Sequence, residues 1–195
     1  MSIERLKSSE TAIPTADSAD NVYTSDVIGN KSDTTGGDSI VSLLKIIDGL
    51  VDTVATTTPV IVSRSAANLP QTTQTAYFTV TGRVLVTQIV GEVTTIIETQ
   101  DNDTKLIANP TVGADVDLCT ALNITADAVG TIYTITGTLA DAMVATTSGA
   151  VTAQASAVLV AAGTIDLDCA ASNTGATKWT LHYIPLDSGS TVTAT

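Results

Sequence analysis

Tyr77-Phe78-Thr79-Val80-Thr81-Gly82-Arg83-Val84-Leu85-Val86-Thr87-Gln88-Ile89-Val90 decides the fold class. Phe78, Val80, Val84, Val86 and Val90 fall on one parity, and Thr79, Thr81, Arg83 and Thr87 on the other. Successive side chains of a strand point to opposite faces, so this period of two gives an extended chain one apolar and one polar face. The stretch is expected as one long strand, with Gly82 marking a bulge or bend in it.

The same pattern spreads outward. Val93 to Thr99 is expected as another strand, Asp101-Asn102-Asp103 as a turn, and Thr104 to Ala108 as the returning strand. Further strands are expected at about 115–120, 131–136, 156–161, 163–169 and 177–184, while Ala140 to Ala145 is ambiguous. In the last of these, Trp179, Leu181 and Tyr183 share the face expected in the core. Lys178, Thr180, His182 and Ile184 share the other, and the tail 191–195 either pairs as an edge or is free. Turn signals return every 8–15 residues or so, as in a sandwich. Residues 59–195 are therefore expected as a mainly β, antiparallel β-sandwich or jelly-roll-like domain. Gly113-Ala114-Asp115-Val116-Asp117-Leu118-Cys119 faintly echoes Gly163-Thr164-Ile165-Asp166-Leu167-Asp168-Cys169, as two strands of similar environment would.

Before Pro59 the pattern is different. Residues 1–37 are rich in Ser, Thr, Asp and Gly, and their apolar residues stand singly: Ile3, Leu6, Ile13, Val22, Tyr23, Val27 and Ile28. A segment of this kind buries too little to order itself. It reads as an extended N-terminal arm that lies on a neighbour, with those seven residues as anchors; a path along its own domain is the alternative. Gly36-Gly37-Asp38-Ser39 then opens a short helix within 38–58, capped by Asp38 or Ser39 and ended by Thr56-Thr57-Thr58-Pro59. Ile40, Leu43, Leu44, Ile47, Leu50, Val51 and Val54 form an apolar face too wide for one contact. Two heptad registers compete over these residues, one leaning to dimers and one to higher order. The helix is expected to be oligomerising or simply buried, and the registers do not count its partners.

The chain of 195 residues carries 8 Lys plus Arg against 20 Asp plus Glu, a formal net charge of −12. Phosphate recognition needs clustered Lys and Arg. Here the basic residues are scattered, so no nucleic-acid partner is expected. Mean hydropathy is positive, +0.31, yet no run of about 18 apolar residues exists, so no membrane partner is expected either. The opening Met1-Ser2-Ile3-Glu4-Arg5 lacks the apolar segment of a secretory signal. Two cysteines, Cys119 and Cys169, are too few for a disulfide framework or a zinc site. They are expected as free buried thiols of a chain made in a reducing compartment.

The chemistry sought along the chain is sparse. His182 is the single histidine, mid-strand on the polar face, where it supports no triad. Ile28-Gly29-Asn30-Lys31-Ser32 lacks the leading Gly of a phosphate loop. No catalytic residue, cofactor or metal is expected, and the chain is not read as an enzyme. Asp101-Asn102-Asp103, Asp115 with Asp117, and Asp166 with Asp168 are calcium candidates; i and i+2 share a strand face, so Asp115 and Asp117 can converge. A solvated acidic face is the expected reading of all three.

Three blocks carry a resemblance: Thr81-Gly82-Arg83-Val84-Leu85-Val86-Thr87-Gln88-Ile89-Val90-Gly91, Asn109-Pro110-Thr111-Val112-Gly113-Ala114-Asp115, and Lys178-Trp179-Thr180-Leu181-His182-Tyr183-Ile184-Pro185-Leu186-Asp187-Ser188-Gly189. With Asp26-Val27-Ile28-Gly29-Asn30-Lys31-Ser32-Asp33 before the helix, they resemble small virion structural proteins of tailed bacteriophages. The likeness is to capsid decoration (cement or auxiliary capsid) proteins and head fibres, and it is diffuse and compositional. It implies a homotrimer on the outer surface of the capsid, gripping the major capsid protein by an N-terminal arm or helix while a β-domain projects. The arm is assigned to capsid binding by position alone. A tail or fibre component for host attachment and a bacterial surface adhesin subunit are the competing expectations.

Overall fold

The computed structural model describes residues 58–195, and the expected arm anchors and helix residues lie outside that range. The described residues are all β, without a helix. Two antiparallel sheets enclose one core. The first contains β1 (Val60–Asn68), β11 (Ala176–Pro185), β3 (Val84–Thr95), β7 (Ile132–Thr134) and β8 (Val144–Thr146) in that order, with β9 (Val158–Val160) also paired to β3. The second runs β12 (Thr191–Ala194), β2 (Gln74–Thr81), β10 (Gly163–Cys169), β4 (Asp103–Pro110) and β5 (Val116–Asp117), with β6 (Leu122–Asn123) also on β4.

The long alternating stretch is two strands, not one. β2 ends at Thr81 in the second sheet, and β3 begins at Val84 in the first. Gly82 makes the crossing with φ of +69°, which a side chain rarely adopts, and an added Cβ would lie 2.5 Å from Ser190 Oγ. Arg83 locks the corner: its backbone N–H donates to Asp187 Oδ2 at 2.9 Å, and its Nη2 donates to Oδ1 at 2.6 Å. The guanidinium hydrogen bond holds the Asp187 carboxyl below its usual range. Because the chain changes sheets without reversing its inward side, Phe78, Val80, Val84 and Val86 all remain in the core.

Val90, expected inward, is half-buried, and Ile89 is buried instead. The pairing explains the change of parity. His182 pairs with Gln88 but Tyr183 with Val86, leaving Thr87 as an extra residue, a β-bulge. From there Ile89, Gly91 and Val93 point inward. The strand expected over 93–99 is also absent as a separate element, since β3 continues to Thr95.

On β11 the expected faces hold: Trp179, Leu181 and Tyr183 are buried. Trp179 stacks on Tyr133 from β7 and meets Tyr77 from β2 edge-on, both at 6.3 Å between ring centroids. This aromatic trio joins the two sheets. Gly91 lies opposite Trp179, where a Cβ would stand 2.7 Å from the indole. The tail pairs with β2 as β12, and Arg64 Nε of β1 donates to the Thr195 carbonyl at 2.9 Å.

Candidate functional site

Two features stand out on the β-domain. The first is an apolar cleft of about 200 Å³ beside the edge of the second sheet. Ala108 and Pro110 of β4, Val116 of β5 and Val158, Leu159 and Val160 of β9 form its walls, with Leu118, Leu139 and Ala161 completing them. Only Asn109 and Thr164 bring polar side chains. Leu159 is 58% exposed, and Val112, in the β4–β5 turn, is 90% exposed. The cleft suits an apolar side chain and offers no reacting group.

The second feature lies on the outward face of β10. Ile165 and Leu167 point into the core, so Asp166 points out, yet it is only 3% exposed. The expectation of a solvated acid fails here because β10 is a central strand, flanked by β2 and β4. Gln74 of β2 and Asn109 of β4 reach over it, donating to Asp166 Oδ2 from Nε2 at 2.8 Å and Nδ2 at 3.1 Å. Gln74 Nε2 also contacts Asp115 Oδ2 at 3.3 Å.

The acidic pairs suggested by i, i+2 spacing are therefore regrouped. Asp115 is joined to Asp166 through Gln74, while Asp117 forms an ion pair with Lys105 at 2.8 Å. At Asp101-Asn102-Asp103, Asn102 is fully buried and its Oδ1 accepts the Ala171 backbone N–H at 3.1 Å. No three His, Cys, Asp or Glu side chains converge as a metal-binding group among the described residues. Gln74 and Asn109 were not singled out from sequence. Isolated amides in Thr- and Ala-rich strands carry no signal until register sets them beside a carboxylate.

The remaining titratable groups are tied into packing. Tyr133 donates its hydroxyl to Asp127 Oδ2 at 2.6 Å, and burial first, then that carboxylate, raise its pKa. His182 is half-buried on the outer face of β11. Cys119 and Cys169 are buried free thiols on the two strands flanking β4 and their extensions. Cys119 Sγ accepts the Leu106 N–H at 3.4 Å, and Cys169 Sγ accepts the Thr104 hydroxyl at 3.5 Å. Burial pushes both thiols up, Cys169 to about 11. The reactive species is the thiolate. Ellman's reagent at about pH 8 is expected to leave both cysteines unreacted in the native protein and to count two thiols in denaturant. One fast equivalent from native protein would contradict this.

No family model, curated protein or solved structure matches the chain.

Proposed function

We propose that the β-domain is a jelly roll and that the chain is a structural protein of a phage virion, decorating and stabilising the capsid. The strand order is the observation that carries this reading. Without the short β6, β8 and β9 and the tail strand β12, eight strands remain, ordered β1-β11-β3-β7 and β2-β10-β4-β5. Renumbered from one to eight along the chain, these read 1-8-3-6 and 2-7-4-5. That is the order left when a long hairpin of paired strands rolls up into two Greek keys. Viral capsid and lectin domains use this architecture. Fold alone does not assign function, and the remaining support is the acidic charge, the low content of basic residues and the singly placed apolar residues of the polar stretch 1–37.

In this reading residues 1–37 bind the major capsid protein, with Ile3, Leu6, Ile13, Val22, Tyr23, Val27 and Ile28 as apolar anchors. Ile40, Leu43, Leu44, Ile47, Leu50, Val51 and Val54 hold copies together, as a homotrimer. Several arms on one assembly bind through effective concentration, so weak individual contacts suffice. The β-domain faces outward from the capsid and carries no reacting machinery.

Copy number tests the proposal. Quantitative mass spectrometry of purified particles is expected to give a ratio to the major capsid protein near one to one, or one trimer per capsomer junction. A handful of copies per particle would replace decoration with a tail or fibre role. Absence from particles would reject a virion role and favour an adhesin.

A further inference from the structure

Asp166 is a buried carboxyl group that no cationic side chain meets among the described residues. The residue is 3% exposed, and among the described residues its enclosed Oδ1 has no hydrogen-bond partner. Among the described residues, Oδ2 accepts from two neutral amides, those of Gln74 and Asn109. Lys105, on the neighbouring strand β4, is committed to Asp117 at 2.8 Å. A buried carboxylate left in this condition is costly, and a paired cation is the usual relief. Beside it stands Asp115, whose Oδ2 approaches the same Gln74 amide nitrogen at 3.3 Å.

We propose that Asp166, Asp115, Gln74 and Asn109 form a calcium site on the outer face of the second sheet. The two carboxylates supply the charge. Each side-chain amide has an oxygen on the opposite side from the nitrogen now facing the carboxylate, and a half-turn of the terminal amide exchanges the two. With Gln74 and Asn109 turned, every protein donor is oxygen, and water completes the shell. Calcium takes six to eight oxygens at about 2.3–2.6 Å and tolerates irregular geometry. Magnesium demands a near-octahedral shell and gives up its water reluctantly, so it is disfavoured. Zinc and its neighbours prefer nitrogen or sulfur, which this cluster lacks. Two carboxylates at a partly open site place the affinity in the weak range of extracellular calcium modules, on the order of 10⁻⁴–10⁻³ M.

The site ties three strands together, since Gln74 belongs to β2, Asn109 to β4 and Asp166 to β10, with Asp115 just before β5. Calcium bound there stabilises the folded form and not the unfolded one, so melting temperature reports it. Full-length protein treated with chelator and then given about 10 mM calcium chloride is expected to melt about 3–10 °C higher. Magnesium chloride at the same ionic strength is expected to give less than half that rise. Asp115→Asn changes an exposed residue, leaves the fold intact, and is expected to lose most of the calcium response. Asp166→Asn keeps the side-chain shape, removes the carboxylate ligand, and is expected to abolish the response while melting no lower than wild type without calcium. Isothermal titration of the wild type should give one site per chain, absent from both variants. An equal rise with magnesium would mean general screening of the −12 charge and would overturn the proposal. So would a calcium response in Asp115→Asn equal to that of wild type, or no response in wild type.

Discussion

Trp179→Ala is expected to remove about 3–5 kcal/mol of folding free energy, the cost typical of emptying a large aromatic site in a core. Small domains are stable by about 5–15 kcal/mol in total, so the variant should lose a large share of its stability. The indole is 1% exposed and lies between Tyr133 of β7 in its own sheet and Tyr77 of the facing sheet. Its Nε1–H donates to Thr177 Oγ1 at 3.0 Å in a buried setting. Truncation therefore opens a cavity, separates two aromatic contacts and removes a donor from a buried hydroxyl. Urea unfolding followed by circular dichroism measures the change. A loss below about 1 kcal/mol would mean that the two sheets are not organised around this ring. The complementary variant, Gly91→Ala, drives a methyl group against the rigid indole at 2.7 Å. It is expected to be costly in the wild type and much less so beside Trp179→Ala, since residues in direct contact couple.

If residues 1–37 grip the capsid as proposed, deleting them is expected to reduce particle binding by about 100-fold or more, because multivalent attachment would be lost with them. The remaining chain is expected to keep its far-ultraviolet β signature and its unfolding midpoint. The measurement is co-sedimentation of the truncated protein with particles that lack it, over a concentration series. If the truncated protein still saturates particles at the same concentration as full-length protein, the arm is not the capsid anchor. Copies of the β-domain would then have to bind by another surface, and the apolar cleft around Leu159 and Val116 is the first to substitute.

Much of the β-domain is legible from local pattern. The alternation on β11 identifies Trp179, Leu181 and Tyr183 as core residues. The turn at Asp101-Asn102-Asp103 and the strands at 104–108 and 163–169 fall within a few residues of β4 and β10. These succeed because a period of two and a turn-forming run are properties of a few consecutive residues. β1 was not anticipated. Val60-Ile61-Val62-Ser63-Arg64 does not alternate, and as an edge strand it is largely exposed, so burial imposes no pattern on it.

The sequence by itself determined that this chain is β-rich, acidic, limited to one histidine and two cysteines, and divided near Pro59 into two regions of different character. Only the tertiary structure decided that Gly82 divides one alternating run between two sheets, and that a bulge at Thr87 exchanges Val90 for Ile89 in the core. It alone decided that Asp166 is buried and shares an amide with Asp115. The reason is that periodicity is written along the chain, whereas sheet membership and register are set by pairings between distant segments. A carboxylate at position 166 meets amides from positions 74 and 109 only once β10 has taken its place between β2 and β4.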